Sequence, residues 1–242
     1  MKKRTSKWFD KPWTKERLED TIRCLIPVII YGFVYLTWFF HLEGTKELHY
    51  TVIHSTLDDK IPFLEIFIIP YLGWFAYCAF FFILFLLMYD MEDFFKNAAF
   101  FFTGMTLFLI ISSIWPNIQY LRPTVMPRDN IFTHLVANLY KTDTPTNLWP
   151  SIHVYNSLGV EFAVARSEKL RRHKGIRIAS FILCILIILS TMFLKQHSVF
   201  DVGTAIILAV GMYYLIYYLG ILQMIKTARE KKQAEKEYVR KH

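Results

Sequence analysis

The sequence predicts an all-α integral membrane protein with six transmembrane helices and both termini in the cytoplasm. Of its 242 residues, 54% are hydrophobic and only 20% are charged, and 22 are Phe. Soluble domains carry about 25% charged residues and are less apolar. Several uncharged stretches also approach the roughly 20 residues that a helix needs to cross a bilayer. The composition therefore excludes a soluble globular protein and a disordered chain.

Five uncharged stretches are predicted to be transmembrane helices, namely residues 24–42, 66–89, 97–121, 178–194 and 202–225. The third is expected to end near Trp115, because Pro116 follows it. The first could be mistaken for a signal peptide, but no small-residue cleavage site follows it. We therefore expect it to be retained as a membrane anchor.

The distribution of Lys and Arg calls for a sixth helix. Seven basic residues precede residue 20, six lie within 166–177 and seven follow residue 225. Cytoplasmic segments are rich in Lys and Arg, so all three clusters are expected on the cytoplasmic side. Five helices would separate the termini, whereas a weakly hydrophobic helix at 151–167 would bring both inside. We thus predict cytoplasmic tails at 1–21 and 226–242 around a membrane catalytic domain at 22–225.

The net charge of +8 is therefore interpreted as membrane topology, not as nucleic-acid binding. The three cysteines, Cys24, Cys78 and Cys184, lie within apolar stretches, which is typical of buried small side chains. They predict neither a disulfide framework nor a cysteine metal site. No metal ion or other cofactor is expected.

Three groups of polar residues follow or precede predicted helices at the outer membrane face. They are Arg122-Pro123, then Pro150-Ser151-Ile152-His153, and finally Ser190, Lys195, His197 and Asp201. Any single member could be a polar interfacial anchor or a charge at a helix end. Because the topology places all three groups at one face, we favour a common site.

The residue types in these groups are suited to phosphoryl transfer. His197 and Asp201 are four residues apart, which on a helix places them on one face. A carboxylate bonded to one imidazole nitrogen makes the other a better nucleophile. His153 and Ser151 lie at a predicted helix N-terminus, where free N–H groups bind anions.

Fixed positive charge completes this candidate site. Arg122 can grip two phosphate oxygens, and Lys195 supplies a second cation close to His197. Glu161, two turns after His153, is expected to have a structural partner inside the helix bundle. His49 and His54 do not match the spacing of a standard metal site.

The three groups resemble the type 2 phosphatidic acid phosphatase superfamily, whose blocks are Lys-x6-Arg-Pro, Pro-Ser-Gly-His and Ser-Arg-x5-His-x3-Asp. Here they read Trp115-x6-Arg122-Pro123, Pro150-Ser151-Ile152-His153 and Ser190-Thr191-x5-His197-x3-Asp201. The resemblance covers about residues 22–225. Residues 58–63, with Pro70, Tyr71 and Trp74, look like the branch of inositol phosphorylceramide synthase-like proteins.

The resemblance implies a role for each matching position. His197 would attack phosphorus and become a phosphohistidine, with Asp201 orienting it. His153 would protonate the leaving alkoxide and then activate water or another hydroxyl. The phosphate would be held by Arg122, Ser151 and Ser190.

Three positions depart from the family pattern. Trp115 stands in place of Lys, Thr191 in place of Arg, and Ile152 in place of Gly. Two phosphate-binding cations are therefore missing. We expect Lys195 to replace them, with Arg128 as a weaker candidate.

The expected function is a metal-independent lipid phosphatase acting at the extracytoplasmic face of a bacterial cytoplasmic membrane. Its substrate would be a lipid phosphate such as phosphatidic acid or polyprenyl pyrophosphate, and its other contacts would be membrane lipids. A phosphotransferase that passes the group to an alcohol uses the same residues and stays open. A transporter or scaffold without catalysis is a third hypothesis, and the oligomeric state is not predicted.

Overall fold

The computed structural model describes residues 14–45, 49–88, 90–220 and 227, and almost all of its regular structure is helical. The helices are α1 (Lys15–Gly44), α2 (Ile68–Leu87), α3 (Met91–Ile114), α4 (Ile131–Thr142), α5 (Ile152–Arg166), α6 (Lys174–Phe193) and α7 (Val199–Tyr213). A π-helical turn at Tyr214–Tyr218 extends α7, and short 3-10 turns lie at Asp58–Lys60, Glu65–Phe67 and Leu170–Arg172. Two strands, β1 (Thr51–Val52) and β2 (Asn117–Ile118), pair in parallel. The predicted all-α class is confirmed.

Five helices are long and apolar enough to cross a membrane, as expected for an integral membrane protein. They cover Lys15–Gly44, Glu65–Leu87, Met91–Ile114, Lys174–Phe193 and Val199–Tyr218. They correspond in order to the five predicted stretches, although most begin earlier. For example, α3 begins at Met91 because Asp90 caps it, and acidic residues stabilise a first helical turn. It ends at Ile114, as expected; residues 221–225 of the last predicted stretch lie outside the described residues.

The weakly hydrophobic helix predicted at 151–167 is present as α5, and it lies at the centre of the bundle. It packs against α2, α3, α6 and α7. Its 15 residues give a length of about 22 Å, which is shorter than the hydrocarbon core of a bilayer. Asn156 and Ser157 are buried against protein. A helix surrounded by protein does not need an apolar surface, and this explains its low hydropathy.

The bundle helices α1, α2, α3, α5, α6 and α7 alternate in direction along the chain, so the bundle has two distinct ends. The Arg17 guanidinium at the start of α1 donates to the Leu87 carbonyl at 2.6 Å, and the Lys169 ammonium after α5 donates to the Met88 carbonyl at 2.5 Å. This is called the tail end, because α1 begins there and α7 finishes there. The opposite end, called the loop end, carries β1, β2, α4 and the turn between α6 and α7.

Aromatic packing joins α3 to α5 in the core. The Phe100 and Tyr155 rings stack with centroids 4.5 Å apart, and the Tyr155 hydroxyl donates to the Phe100 carbonyl at 3.0 Å. Gly104 lets the two helices approach, because a Cβ there would lie 1.9 Å from the Tyr155 ring. Phe100 and Phe101 are both buried, so these two side chains of α3 pack in the protein interior.

The long segment between α3 and α5 contains a helix of its own, α4. Asn130 caps α4 by accepting from the Phe132 and Thr133 amides, at 2.9 and 3.0 Å. Val136 of α4 is fully buried in a small apolar cluster that includes Tyr71 of α2. This helix therefore covers the side of the bundle next to α2 at the loop end.

Replacing Gly104 with Ala is expected to destabilise the protein. The added methyl group overlaps the buried Tyr155 ring, which cannot move without breaking its hydrogen bond to Phe100. Overpacking of this kind costs about 1–3 kcal/mol. Thermal unfolding of the purified protein in detergent measures the effect. Gly73→Ala is the matched control, since no atom lies within 4 Å of its added Cβ; equal midpoints for the two variants would contradict the proposed contact.

Candidate functional site

The three polar groups identified in the sequence meet at the loop end of the bundle. The Ser151 amide donates to the Asp201 carbonyl at 3.5 Å, which joins the start of α5 to the start of α7. The Arg122 guanidinium donates to the Gln196 side-chain oxygen at 2.6 Å. The His153 and His197 rings lie 5.7 Å apart between centroids. Residues far apart in the chain thus surround one small region.

His197 and Asp201 are paired through the cap of α7. The Nδ1 atom of His197 lies 3.4 Å from Oδ2 of Asp201, which also accepts from the Ser198 amide at 3.0 Å. Ser198 is the N-cap, so His197 precedes the helix and does not share a helical face with Asp201. The predicted contact is present, but a capping box produces it. Both side chains are buried, and Nε2 is the imidazole nitrogen that the pairing leaves for chemistry.

His153 is the second residue of α5 and lies between two aromatic side chains of α2. Its ring centroid is 4.7 Å from that of Tyr71 and 4.4 Å from that of Trp74. Its Nδ1 atom is buried and has no hydrogen-bond partner among the described residues. The aromatic walls fix the ring position and keep bulk water from one side of it.

Arg122 is held by the chain between α4 and α5. Its terminal nitrogens donate to the carbonyls of Tyr140, Asp143 and Thr144 at 3.3, 2.7 and 3.2 Å, in addition to Gln196. Burial lowers the pKa of Arg122, while nearby Asp143 raises it. The guanidinium is therefore rigidly placed beside the turn that carries His197.

On the joined side chains of Arg122 and Gln196, two hydrogen-bond donors have no acceptor in the described part of the chain. They are Nε of Arg122 and Nε2 of Gln196, and both atoms are buried. Buried donors are almost always paired, with protein, water or ligand. These two belong to side chains joined directly to one another, one of them adjacent to His197. They are therefore candidates for binding an anion.

Lys195 was expected to be a free cation that binds phosphate, but its ammonium group is bonded to the protein backbone. Its ammonium group donates to the carbonyls of Asp58 and Ile61, at 2.7 and 2.6 Å. Burial lowers the pKa of Lys195, and the charges of Asp58 and Asp59 raise it. Arg128, the weaker candidate, is bonded to Glu65. The hydrogen bonds of Lys195 and Arg128 therefore do not direct either cation toward the two histidines.

Both serines of the expected phosphate site are fully buried. The Ser151 hydroxyl caps α5 by accepting from the Val154 amide at 3.4 Å. The Ser190 hydroxyl donates to the Ile187 carbonyl at 2.6 Å, one turn back along α6. Their hydroxyl groups thus support the helices on which the histidines depend.

The positions that depart from the family pattern make structural contacts of their own. The Trp115 indole donates to the Thr51 hydroxyl at 2.7 Å, which links α3 to β1. The Thr191 carbonyl accepts from the amides of Gln196 and His197, at 2.9 and 3.0 Å. The backbone of Thr191, more than its side chain, therefore positions the proposed nucleophile.

Asp58 is a site residue to which the sequence assigned no role. Its buried carboxylate accepts from the Ser198 hydroxyl at 2.6 Å, the Val199 amide at 2.8 Å and the Ser55 amide at 2.8 Å. A carboxylate at a helix N-terminus is stabilised by the free amides there. Asp58 thus fixes the start of α7, where His197 and Asp201 lie. The sequence signal that could have identified Asp58 is the motif Asp-x-Lys-Ile-Pro-Phe at residues 58–63, which begins with it.

Asp143 is a second carboxylate that the sequence did not single out. Its Oδ2 atom accepts from the Tyr71 hydroxyl at 3.1 Å. Burial raises the pKa of Asp143, whereas Arg122 and His197 lower it. Asp143 is therefore an additional ionisable group, which interacts with His197 by charge and is linked to His153 through the Tyr71 ring.

Other ionisable residues lie apart from this cluster. Glu161 accepts from the Ser180 hydroxyl at 2.6 Å, and Tyr77 contacts that hydroxyl at 2.9 Å. This is a structural partnership within the bundle. His54 is exposed and lies 2.9 Å from Asp59. Within the described ranges, no three His, Cys, Asp or Glu side chains are grouped so as to hold a metal ion.

Comparisons of the chain with protein-family models, curated proteins and solved structures give no match. The resemblance of the three short blocks remains a prediction. The chemistry proposed below rests on the residues and distances of this site.

Replacing Asp58 with Asn is expected to destabilise the loop end. The amide nitrogen of Asn cannot accept hydrogen bonds, so at least one donor at the start of α7 loses its partner. An unsatisfied buried group costs about 1–3 kcal/mol. Thermal unfolding in detergent should show a lower midpoint than wild type. Asp59→Asn, at an exposed neighbour, is the control, and a wild-type midpoint for Asp58→Asn would show that its carboxylate is dispensable.

Proposed function

We propose that the protein is an integral membrane phosphoryl-transfer enzyme that hydrolyses a lipid phosphate through a phosphohistidine at His197. The observation that carries the proposal is the contact of His197 Nδ1 with Asp201, 3.4 Å away, together with a second histidine ring 5.7 Å from the first. A carboxylate behind one nitrogen leaves the other as the nucleophile. His153 is then close enough to act as acid and base.

The reaction would proceed in two displacements at phosphorus. In the first, Nε2 of His197 forms a bond to phosphorus as the bond to the lipid oxygen breaks, and His153 donates a proton to that oxygen. In the second, His153 takes a proton from water, the water oxygen bonds to phosphorus, and the N–P bond breaks. Asp201 stabilises the positive charge on the His197 ring in both steps.

The unpaired donors support a phosphate-binding role for Arg122 and Gln196. Nε of Arg122 and Nε2 of Gln196 are buried without acceptors in the described residues. Phosphate oxygens are strong acceptors, and hydrogen bonds to a guanidinium are charge-assisted. The start of α5 adds a helix N-terminus next to His153. These groups would offset the two cations that the family pattern contains and this chain lacks. Phosphatidic acid and polyprenyl pyrophosphate are suitable substrates.

Transfer to an alcohol is the second candidate function. The aromatic rings of Tyr71 and Trp74 cover His153 on the α2 side. Limited access of water beside the base favours an alcohol as the acceptor of the phospho-group. A non-catalytic transporter or scaffold offers no reason for the two histidines and Asp201 to converge.

The proposed membrane arrangement has six spans, α1, α2, α3, α5, α6 and α7, with both termini in the cytoplasm. Two features support it. The helices alternate in direction, and the basic connection between α5 and α6 lies at the tail end with the start of α1. The histidines would then face the extracytoplasmic side, and the Phe-, Ile- and Lys-rich composition suits a bacterial cytoplasmic membrane.

His197→Ala is expected to abolish turnover of a lipid phosphate and any acid-labile phosphoenzyme, because His197 is the imidazole that is paired with Asp201. Wild-type activity is expected to persist in excess chelator, since the proposed steps use only side chains. Phosphate release and radiolabel trapping from phosphatidic acid measure both effects. His54→Ala, at an exposed histidine, is the matched control. Phosphoenzyme in His197→Ala would reassign the nucleophile, and an absolute metal requirement would exclude the proposed mechanism.

The topology predicts which loops a membrane-impermeant thiol reagent reaches in intact cells. Thr56→Cys lies at the loop end and Glu168→Cys at the tail end, and both positions are exposed. In a background with the three native cysteines replaced by Ala, we expect labelling at position 56 and none at 168 until the cells are opened. The reverse pattern would place the histidines in the cytoplasm, and labelling of both would contradict an alternating bundle.

A further inference from the structure

Asp143 is linked to His153 through Tyr71 and is not used by the proposed mechanism. Its Oδ2 atom accepts from the Tyr71 hydroxyl at 3.1 Å, and the Tyr71 ring stacks on His153 with centroids 4.7 Å apart. The backbone of Asp143 is fixed, because its carbonyl accepts from Arg122 at 2.7 Å. The carboxylate is therefore held at the hydroxyl end of the aromatic ring that stacks on the proposed acid and base.

The other carboxylate oxygen of Asp143 is available to a ligand. Arg122 donates to the main-chain carbonyl of Asp143, not to its carboxylate. In the part of the chain that the structure describes, the carboxylate accepts a hydrogen bond only from Tyr71. Asp143 is half-buried, and its Oδ1 atom is not fully enclosed by protein. A carboxylate with one neutral donor has unused accepting capacity.

Charge determines what this oxygen can bind. A carboxylate repels the oxygens of a phosphate group, so Asp143 is unsuited to holding the transferred group itself. It is suited to a hydroxyl group, which donates a hydrogen bond. The reacting oxygen would lie at His153, so a second hydroxyl on the same acceptor is the group suited to Asp143, which Tyr71 links to His153.

We propose that Asp143 determines acceptor specificity by binding a hydroxyl group adjacent to the reacting hydroxyl of an alcohol, so that the site favours diols and polyols as acceptors. This inference rests on the proposed phosphohistidine. The acceptor oxygen bonds to phosphorus as the N–P bond breaks, and its proton passes to His153. Asp143 accepts a hydrogen bond from the second hydroxyl and undergoes no change in bonding.

The test compares two acceptors that differ by one hydroxyl group, ethanol and ethylene glycol. Purified full-length protein is given short-chain phosphatidic acid with both alcohols at equal concentration, and the two phosphate monoesters are quantified. A hydrogen bond to a charged group corresponds to roughly a tenfold or greater preference for ethylene glycol. Both acceptors react with the same phosphoenzyme, so the ratio of the two products does not depend on how fast the phosphoenzyme forms.

Asp143→Asn is expected to reduce this preference about tenfold, because it removes the charge while keeping the shape. Asp129→Asn, at an exposed Asp before α4, is the matched control and should keep the wild-type ratio. An equal ratio of the two products in wild type would overturn the inference, even if Asp143→Asn does not fold. An unchanged preference in a folded Asp143→Asn would also overturn it.

Two further outcomes separate this inference from the function on which it rests. Release of inorganic phosphate with no alcohol product would overturn the role of Asp143 and leave the phosphatase intact. Absence of any phosphoenzyme in wild type would instead remove the proposed function. A preference for ethylene glycol that Asp143→Asn abolishes supports both.

Discussion

The burial of α5 among four other helices is the constraint on which the rest of the structure depends. Its buried Asn156 and Ser157 would be costly against lipid, so the helix has to be surrounded by protein. Small residues make this possible, since Gly104 of α3 and Gly159 of α5 admit aromatic rings from the facing helix. The central position of α5 places His153, near its start, beside the turn that carries His197. The geometry of the candidate site is thus a consequence of how the bundle packs.

Cations at the loop end are used mainly to hold the backbone. Arg122 bonds three carbonyls and Lys195 bonds two, while the Asp58 carboxylate secures the start of α7. A segment with so little regular structure needs such contacts, because its carbonyls and amides lack helical partners. The same use of charge leaves few free cations near the histidines. Under the proposed function, neutral donors and one nitrogen of Arg122 would have to bind the phosphate.

Features set by periodicity and charge could be predicted from the sequence, whereas those set by individual tertiary contacts could not. The five apolar helices follow from uncharged length, and α5 followed from the balance of Lys and Arg on the two sides. By contrast, α4 depends on contacts with α2, and the burial of Phe100 depends on Tyr155. The proximity of the two histidines could be expected from topology. The partners of Lys195 could not, because they are carbonyls more than 130 residues away in the chain.

Under the proposed function, the distinction between hydrolysis and transfer would depend on what surrounds His153. Both reactions need the same base, so the competing acceptor decides the product, and water is always the more abundant one. An alcohol can compete only if the site binds it, which requires a polar group that is not already bonded to the phosphate. Tyr71 and Trp74 cover the His153 ring on the α2 side, and Asp143, which is bonded to the Tyr71 hydroxyl, would supply an accepting oxygen. The same arrangement that leaves the site poor in free cations would therefore make it selective for a neutral, hydroxylated acceptor.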